Sequence, residues 1–307
     1  MDPCPFCGGA LSPLFATRDH RRARDQGRYE VGWCEACKYG RVLGDYTPER
    51  VKSFYEMPYY THAPEWLAGG RRPSLMDKLR MHLAWRTDSG TDLQPTEGVG
   101  RTLLDIGCGN GGNLSSFVAA GFATTGIEPD PEARKVAMQV GEIHEGTAEA
   151  LPQDLGGRRF DTVLFSHVLE HCIDPAAALA NARQLVAPGG RLIVEVPNNE
   201  ALAFWTFKQL WPFTDVPRHL HFFTESSLRE LVKAAGFQPT DLLHVGYFRQ
   251  FHPEWIRQQE EIWKTAGDGS AKPNFDWAAW KLLARTWSAS APRKYDSIRI
   301  HASPIEG

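Results

Sequence analysis

Thr102-Leu103-Leu104-Asp105-Ile106-Gly107-Cys108-Gly109-Asn110-Gly111-Gly112 is the segment around which the rest of the chain can be arranged. A short apolar run ends in a cluster of glycines, and Leu114 to Ala120 then reads as a helix. Strand, glycine turn and helix N-terminus make the opening unit of a doubly wound parallel sheet. Glycine lets backbone pass close to a ligand where a Cβ would collide. The glycines alone fit a dinucleotide or phosphate site equally well. The acidic residue, however, precedes them. Asp105, at the strand end, suits a ligand bearing an ammonium group and would repel a pyrophosphate.

Downstream, Ala123-Thr124-Thr125-Gly126-Ile127 reads as a second strand ending in Glu128, a carboxylate able to accept both hydroxyls of a ribose. Phe160 to Phe165 is a fourth strand with Ser166 and His167 at its carboxyl end. Leu185 to Val196 holds a helix end, the turn Pro188-Gly189-Gly190 and a fifth strand. Gln238 to Phe248 reads as a sixth strand, and Lys294 to Ala302 alternates like a seventh, antiparallel one. Singly, each glycine is a plain strand-to-helix turn. As an ordered set with Glu128 and His167-Val168-Leu169-Glu170-His171, these residues resemble the class I S-adenosylmethionine-dependent methyltransferases over about residues 75–245. The resemblance is strongest to the group that includes ubiquinone-pathway O-methyltransferases.

That resemblance implies an α/β fold: a Rossmann-like, seven-stranded methyltransferase sheet binding S-adenosylmethionine. Asp105 would orient the methionine ammonium, the turn of Gly107, Gly109 and Asn110 would lie against the methionine portion, and Glu128 would hold the ribose. The loop Glu145 to Pro152 would run along adenine. Thr147 stands there where relatives commonly carry Asp, which leaves the contact to the backbone of Ala148, with Glu149 as a substitute. Ser166 and His167 would sit beside the sulfonium.

Near the start, Cys4-Pro5-Phe6-Cys7 and Cys34-Glu35-Ala36-Cys37 form two Cys-x-x-Cys knuckles. Each tight turn aims two sulfurs at one point, and the pair completes a tetrahedral thiolate set for zinc. Residues 1–45 resemble a zinc ribbon, with Arg28 to Trp33 as the strand returning to the second knuckle. Four thiolates leave no position open for water, so the zinc reads as structural; a redox pair is the alternative. The ribbon is nearly balanced in charge, so its basic loop Arg18 to Asp25 reads as a solvated hairpin tip.

Methyl transfer needs an acceptor held in line and, where its pKa is high, a group to take its proton. Residues 46–90 read as a linker and helical cap, with an aromatic stretch from Ser53 to His62 and a helix from Ser74 to Arg86. Arg80 and Arg86 are candidates to meet the methionine carboxylate. The remaining domain, 91–307, carries insertions at about 198–223 and 252–290. The first holds Arg218-His219-Leu220-His221, directly before the helix-capping Thr224. His219, His221 and His171 are candidate proton acceptors; the alternative for each is a ring that simply caps or packs. A second metal on His219 and His221 lacks a suitably spaced carboxylate. In the second insertion Trp277, Trp280, Leu283 and Trp287 share a helical face that packs on the domain or on a twin subunit.

Of 307 residues, 42% are hydrophobic and 23% charged, the composition of a soluble globular protein rather than a disordered or membrane chain. The net charge of -3 lacks the basic excess of most nucleic-acid proteins. No Trp lies between Trp85 and Trp205 and no Tyr between Tyr60 and Tyr247, so the middle of the chain is built differently from its ends. Met1-Asp2-Pro3-Cys4 shows no secretory signal, Ala201 to Phe213 is too short to span a bilayer, and paired cysteines suit a reducing cytoplasm. The function expected is methyl transfer to O, N or C of a small molecule such as a sugar or secondary metabolite. Competing readings are an RNA methyltransferase docking through its ribbon, a non-catalytic cofactor-binding partner, and another conversion of the cofactor such as cyclisation.

Overall fold

The computed structural model describes residues 3–21, 27–55, 72–88, 93–267 and 271–305. Residues 22–25 of the basic loop and 56–62 of the aromatic stretch lie outside them. The N-terminal part supplies β1 (Ser12–Thr17), β2 (Tyr29–Cys34), β3 (Tyr39–Val42), α1 (Pro48–Ser53) and α2 (Leu75–Arg86). Next come β4 (Thr102–Ile106), α3 (Gly112–Ala119), β5 (Ala123–Ile127), α4 (Pro131–Ala137), β6 (Glu142–His144), β7 (Phe160–Ser166), α5 (Pro175–Leu185) and β8 (Val186–Pro197). The chain continues through α6 (Leu202–Phe207), β9 (His221–Phe222), α7 (Glu225–Ala234) and β10 (Phe237–Val245). It closes with α8 (Pro253–Ala266), α9 (Phe275–Thr286), α10 (Ala291–Lys294) and β11 (Ser297–Pro304).

The larger sheet has seven strands in the order β10-β11-β8-β7-β4-β5-β6. The strands from β4 to β8 run parallel, whereas β11 is antiparallel to both β8 and β10. Helices cover both faces of a parallel strand, which is why β4 reads as an almost continuous apolar run. Leu103, Leu104 and Ile106 are indeed fully buried, each such side chain stabilising the fold by roughly 1.5–3 kcal/mol. From β4 the chain winds outward to β5 and β6, then returns to β4's other edge as β7. That reversal opens a crevice at the carboxyl end of β4, where Asp105 stands.

The smaller sheet has the order β1-β2-β3-β9, so its fourth strand comes from the 198–223 insertion. Gly40 pairs with Phe222 and Arg41 with His221, and Leu220 O accepts from Val42 N at 2.9 Å. A Cβ on Gly40 would come within 2.9 Å of the Trp33 ring, so glycine permits this close pairing. Tyr29, Val31, Trp33 and Val42 pack in one apolar cluster with Phe204, Trp211 and Phe222 of the insertion. The ribbon and the insertion thus share both a sheet and a core.

Three expectations need correcting. The described part of the hairpin tip is solvated only in part, with Arg18 exposed. Asp19 is fully buried against Arg218, and Arg21 pairs with Asp215 at 2.9 Å. Arg80 does not reach toward a cofactor: it is buried, bonded to Asp77 at 2.7 Å and to Asp276 at 3.3 Å, while Arg86 lies on the exposed side of α2. The tryptophan face is also divided, for Trp280 and Leu283 pack inward whereas Trp277 and Trp287 are 58% and 47% exposed. No helix among the described residues is long and apolar enough to cross a membrane.

Candidate functional site

The turn after β4 folds over the end of β5, Ile127 O accepting from both Gly107 N (2.8 Å) and Cys108 N (3.1 Å). Two of its glycines do different work. Gly107 has φ +70°, and a Cβ there would meet Val168 at 2.6 Å. Gly109, at φ +56°, faces open space, with nothing within 4 Å of a Cβ. Asn110 is exposed at the lip of the turn. Asp105 is 1% exposed and neither carboxylate oxygen has a hydrogen-bond partner. Burial pushes its carboxyl up to about 8 and the charge of Glu128 adds to the shift; the Asn113 side chain, near the carboxylate but outside hydrogen-bond geometry, opposes it. An orphaned buried carboxyl beside an open glycine turn fits a ligand ammonium well. Glu128 ends β5, its carboxylate gripped by Gly109 N and Asp130 N, each at 2.8 Å.

The loop after β6 reaches the same edge of the sheet, but its side chains are engaged elsewhere. Thr147 Oγ1 accepts from Ala150 N at 3.0 Å and closes a turn. Glu149 Oε1 accepts from Ile173 N (2.6 Å) and Asp174 N (2.8 Å), tying the loop to the start of α5 and leaving that oxygen unsuited to an adenine contact. Ala148 is buried, its carbonyl taken by Asn181 at 3.0 Å. Ser166 is half-buried at the end of β7. His167 follows at φ +56°, an uncommon backbone state for a residue with a side chain. Its ring lies 3.2 Å from Glu195 and 3.4 Å from Glu170. Burial works against its charged form, yet the two carboxylates prevail and raise it to about 9, so it is cationic at neutral pH.

The three candidate proton acceptors separate into a pair and an outlier. His171 and His219 meet edge to face, centroids 4.5 Å apart. His219 Nδ1 lies 2.7 Å from Phe213 O; a carbonyl can only accept, so Nδ1 carries the proton and Nε2 keeps its lone pair. His171 Nδ1 lies 3.1 Å from Arg218 O and 2.9 Å from the Tyr55 hydroxyl. Burial drives both rings down to about 4, and both are neutral at pH 7. His221 is the correction. It sits in β9, with Nδ1 bonded to the Tyr39 hydroxyl and Nε2 to Cys172 O at 2.8 Å, and therefore packs instead of taking protons. The start of the strand explains the separation: His219 belongs to the turn that closes on Asp215 O, whereas His221 opens β9 at a sheet edge. Glu170, His171 and His219 bring one ligand atom each within 4.8 Å of one another, a carboxylate contact that spacing does not reveal, although Glu170 already faces the cationic His167.

At the ribbon, Cys4, Cys7, Cys34 and Cys37 bring their sulfurs within 4.8 Å of each other, and Cys7 Sγ lies 3.7 Å from Cys34 Sγ. Four sulfurs at 2.3 Å from a common centre would be about 3.8 Å apart along each tetrahedral edge, so this set fits zinc.

The methyltransferase domain family matches residues 71–242, more than half of the chain. The chain belongs to that family. It is an S-adenosylmethionine-dependent methyltransferase. The ubiquinone biosynthesis O-methyltransferase of Aromatoleum aromaticum is 33% identical over 162 residues, which cover 48% of this chain and 69% of that one. The corresponding enzyme of Cereibacter sphaeroides is 32% identical over 183 residues, covering 55% and 72%. Among solved structures, a chain from the Haloferax volcanii complex of the Trm112 methyltransferase activator with a methyltransferase aligns with a TM-score of 0.51 at 14% identity. It covers 80% of this chain and 96% of that one. The cyclase SpnF aligns with a TM-score of 0.50 at 20% identity, covering 86% and 99%. These likenesses are of fold.

Sequence reasoning placed Tyr55 only within an aromatic stretch and Asp19 only within a basic loop, and found neither the contact of Tyr55 with His171 nor that of Asp19 with Arg218. Asp19 lies in a loop that reads as polar surface, and its partner Arg218 is 199 residues away. Glu170 was visible in its motif but carried no role there.

Proposed function

We propose that this methyltransferase transfers a methyl group to the oxygen, nitrogen or carbon of a small molecule held against the 198–223 insertion. S-adenosylmethionine supplies an electrophilic methyl group on a sulfonium. Asp105 would bind its ammonium, Gly107, Gly109 and Asn110 would flank the methionine portion, Glu128 would hold the ribose and the backbone of Ala148 would border adenine. Ser166 and His167 would line the sulfonium side. The observation that carries the reading is the buried carboxyl of Asp105, without a hydrogen-bond partner, just ahead of the open glycine turn at the reversal point of the sheet. Zinc on Cys4, Cys7, Cys34 and Cys37 would staple the ribbon and take no part in the chemistry.

His219 is the proton acceptor in this reading, with His171 beside it. A hydroxyl becomes far more acidic as its oxygen bonds to carbon, so a weak base that is always neutral suffices late in the step. An RNA substrate is less well supported, because Arg21 of the ribbon is engaged by Asp215 instead of being free for phosphate. The test is cofactor turnover against a metabolite extract, with mass spectrometry seeking products heavier by the mass of one CH2. His219→Gln should lower turnover at least about tenfold with cofactor affinity kept; full activity would remove His219 as the base. Tight, salt-sensitive RNA binding on a filter would reverse the choice of acceptor.

A further inference from the structure

Arg218 is a fully buried guanidinium with two carboxylate partners on different parts of the fold. From the ribbon hairpin, Asp19 takes it bidentately, Oδ1 from Nη2 at 2.6 Å and Oδ2 from Nη1 at 3.0 Å. From the insertion, Asp215 Oδ1 takes Nε at 3.0 Å and Nη2 at 2.9 Å, and Phe54 O lies 3.4 Å from Nη1. The backbone around this ion is the backbone that sets the two histidines. Asp215 O accepts from both Arg218 N (2.9 Å) and His219 N (3.0 Å), and Arg218 O faces His171 Nδ1. The turn also returns Phe213 O to His219 Nδ1 at 2.7 Å.

We propose that Asp19 is a positioning residue for the acceptor chemistry: the ribbon reaches across the chain to clamp Arg218, and the clamped turn fixes the orientation and tautomer of His219. The inference rests on His219 being the proton acceptor. Asp19 touches neither imidazole. It acts through a planar guanidinium whose fork permits one geometry between the two carboxylates. A solvated ion pair could not do this, because exposed side chains exchange partners with water. The ribbon is accordingly a wall of the acceptor site, held to the insertion by β9 and aligned by one charge.

The test uses the full chain labelled with 15N-histidine, the His219 ring signals being assigned by their loss in His219→Gln. The wild-type ring should show a single Nδ1–H tautomer and stay neutral down to about pH 4, as its burial requires. Asp19→Asn should give a mixture of tautomers and a titration midpoint moved toward the ordinary histidine value of about 6.5. S-adenosylhomocysteine affinity by calorimetry should stay within about twofold, because the variant lies outside the cofactor cradle. Asp19→Glu, which restores the carboxylate, should recover most of the wild-type pattern. If Asp19→Asn does not fold, Arg218→Lys keeps the charge but not the fork and should give the same mixture. A single tautomer and an unchanged midpoint in the folded variant overturn the proposal. Full turnover by His219→Gln would instead defeat the assignment of the base, and that failure is read on a different measurement.

Discussion

Asp105 offers a direct test of the cradle, because its protonation state must change when the cofactor arrives. Burial places its carboxyl at about 8, against an ordinary 3.8. The folded protein therefore binds more protons than the unfolded chain between these values, and this group's contribution to stability falls as pH rises across that window. At about 1.4 kcal/mol per pKa unit, the ceiling on that loss is on the order of 6 kcal/mol. The ammonium of the ligand supplies the missing counter-charge. At about pH 6.5 both the Asp105 carboxyl and an α-amino group of ordinary pKa, about 7.8, are almost fully protonated, whereas the ion pair they form keeps only one of the two protons. Binding should release close to one proton. Calorimetric titration with S-adenosylhomocysteine in phosphate and in Tris measures this, since the observed enthalpy differs between buffers by the heat of taking up the released proton. Asp105→Asn should abolish the buffer dependence and weaken binding about 10- to 100-fold, the value of a lost charge-assisted hydrogen bond of roughly 1.5–3 kcal/mol. A wild-type protein that releases no proton, or a variant with unaltered affinity, would refute the reasoning.

The two cradle glycines should respond differently to alanine. Gly107→Ala drives a Cβ into Val168 and should destabilise the fold by about 1–3 kcal/mol, read as a lower melting temperature. Gly109→Ala meets no protein atom and should cost only the about 1–2 kcal/mol of its left-handed backbone, yet weaken cofactor binding more than about tenfold in calorimetry. His221→Phe removes the bonds to Tyr39 and Cys172, and should lower stability to denaturant by about 2–4 kcal/mol while leaving the pH dependence of turnover unchanged.

The strand, turn and helix of the cradle were legible because the expected function and the local geometry call on the same residues. A buried parallel strand demands an apolar run, a ligand against backbone demands glycine, and a cationic ligand demands a carboxylate at the strand end. Each requirement is met within a few residues of Asp105. The paired knuckles Cys4 to Cys7 and Cys34 to Cys37 were legible for the same reason, since two turns specify where four sulfurs point. The helix start at Thr224 also followed from local chemistry, its hydroxyl forming the reciprocal cap with Ser227.

The acceptor side was only half legible, because it depends on contacts that leave no local trace. A two-residue strand such as β9 has no alternation to detect, and its pairing with β3 joins Arg41 to His221 across most of the chain. Without that strand, His219 and His221 look like equivalent members of one cluster. With it, one ring faces His171 and the other is locked between Tyr39 and Cys172. The same pairing changes the meaning of the ribbon. Read alone, residues 1–45 are a small domain needing zinc because they lack a core. In the fold, their apolar strands complete a core with the insertion, and their hairpin carries Asp19 into a buried ion pair. Such a pair contributes little net stability, since desolvating two charges offsets most of their attraction, but breaking it strands a charge. On the proposed reading it favours one arrangement of ribbon and insertion, as a site would require whose base is set by backbone from one segment and clamped by a side chain from another.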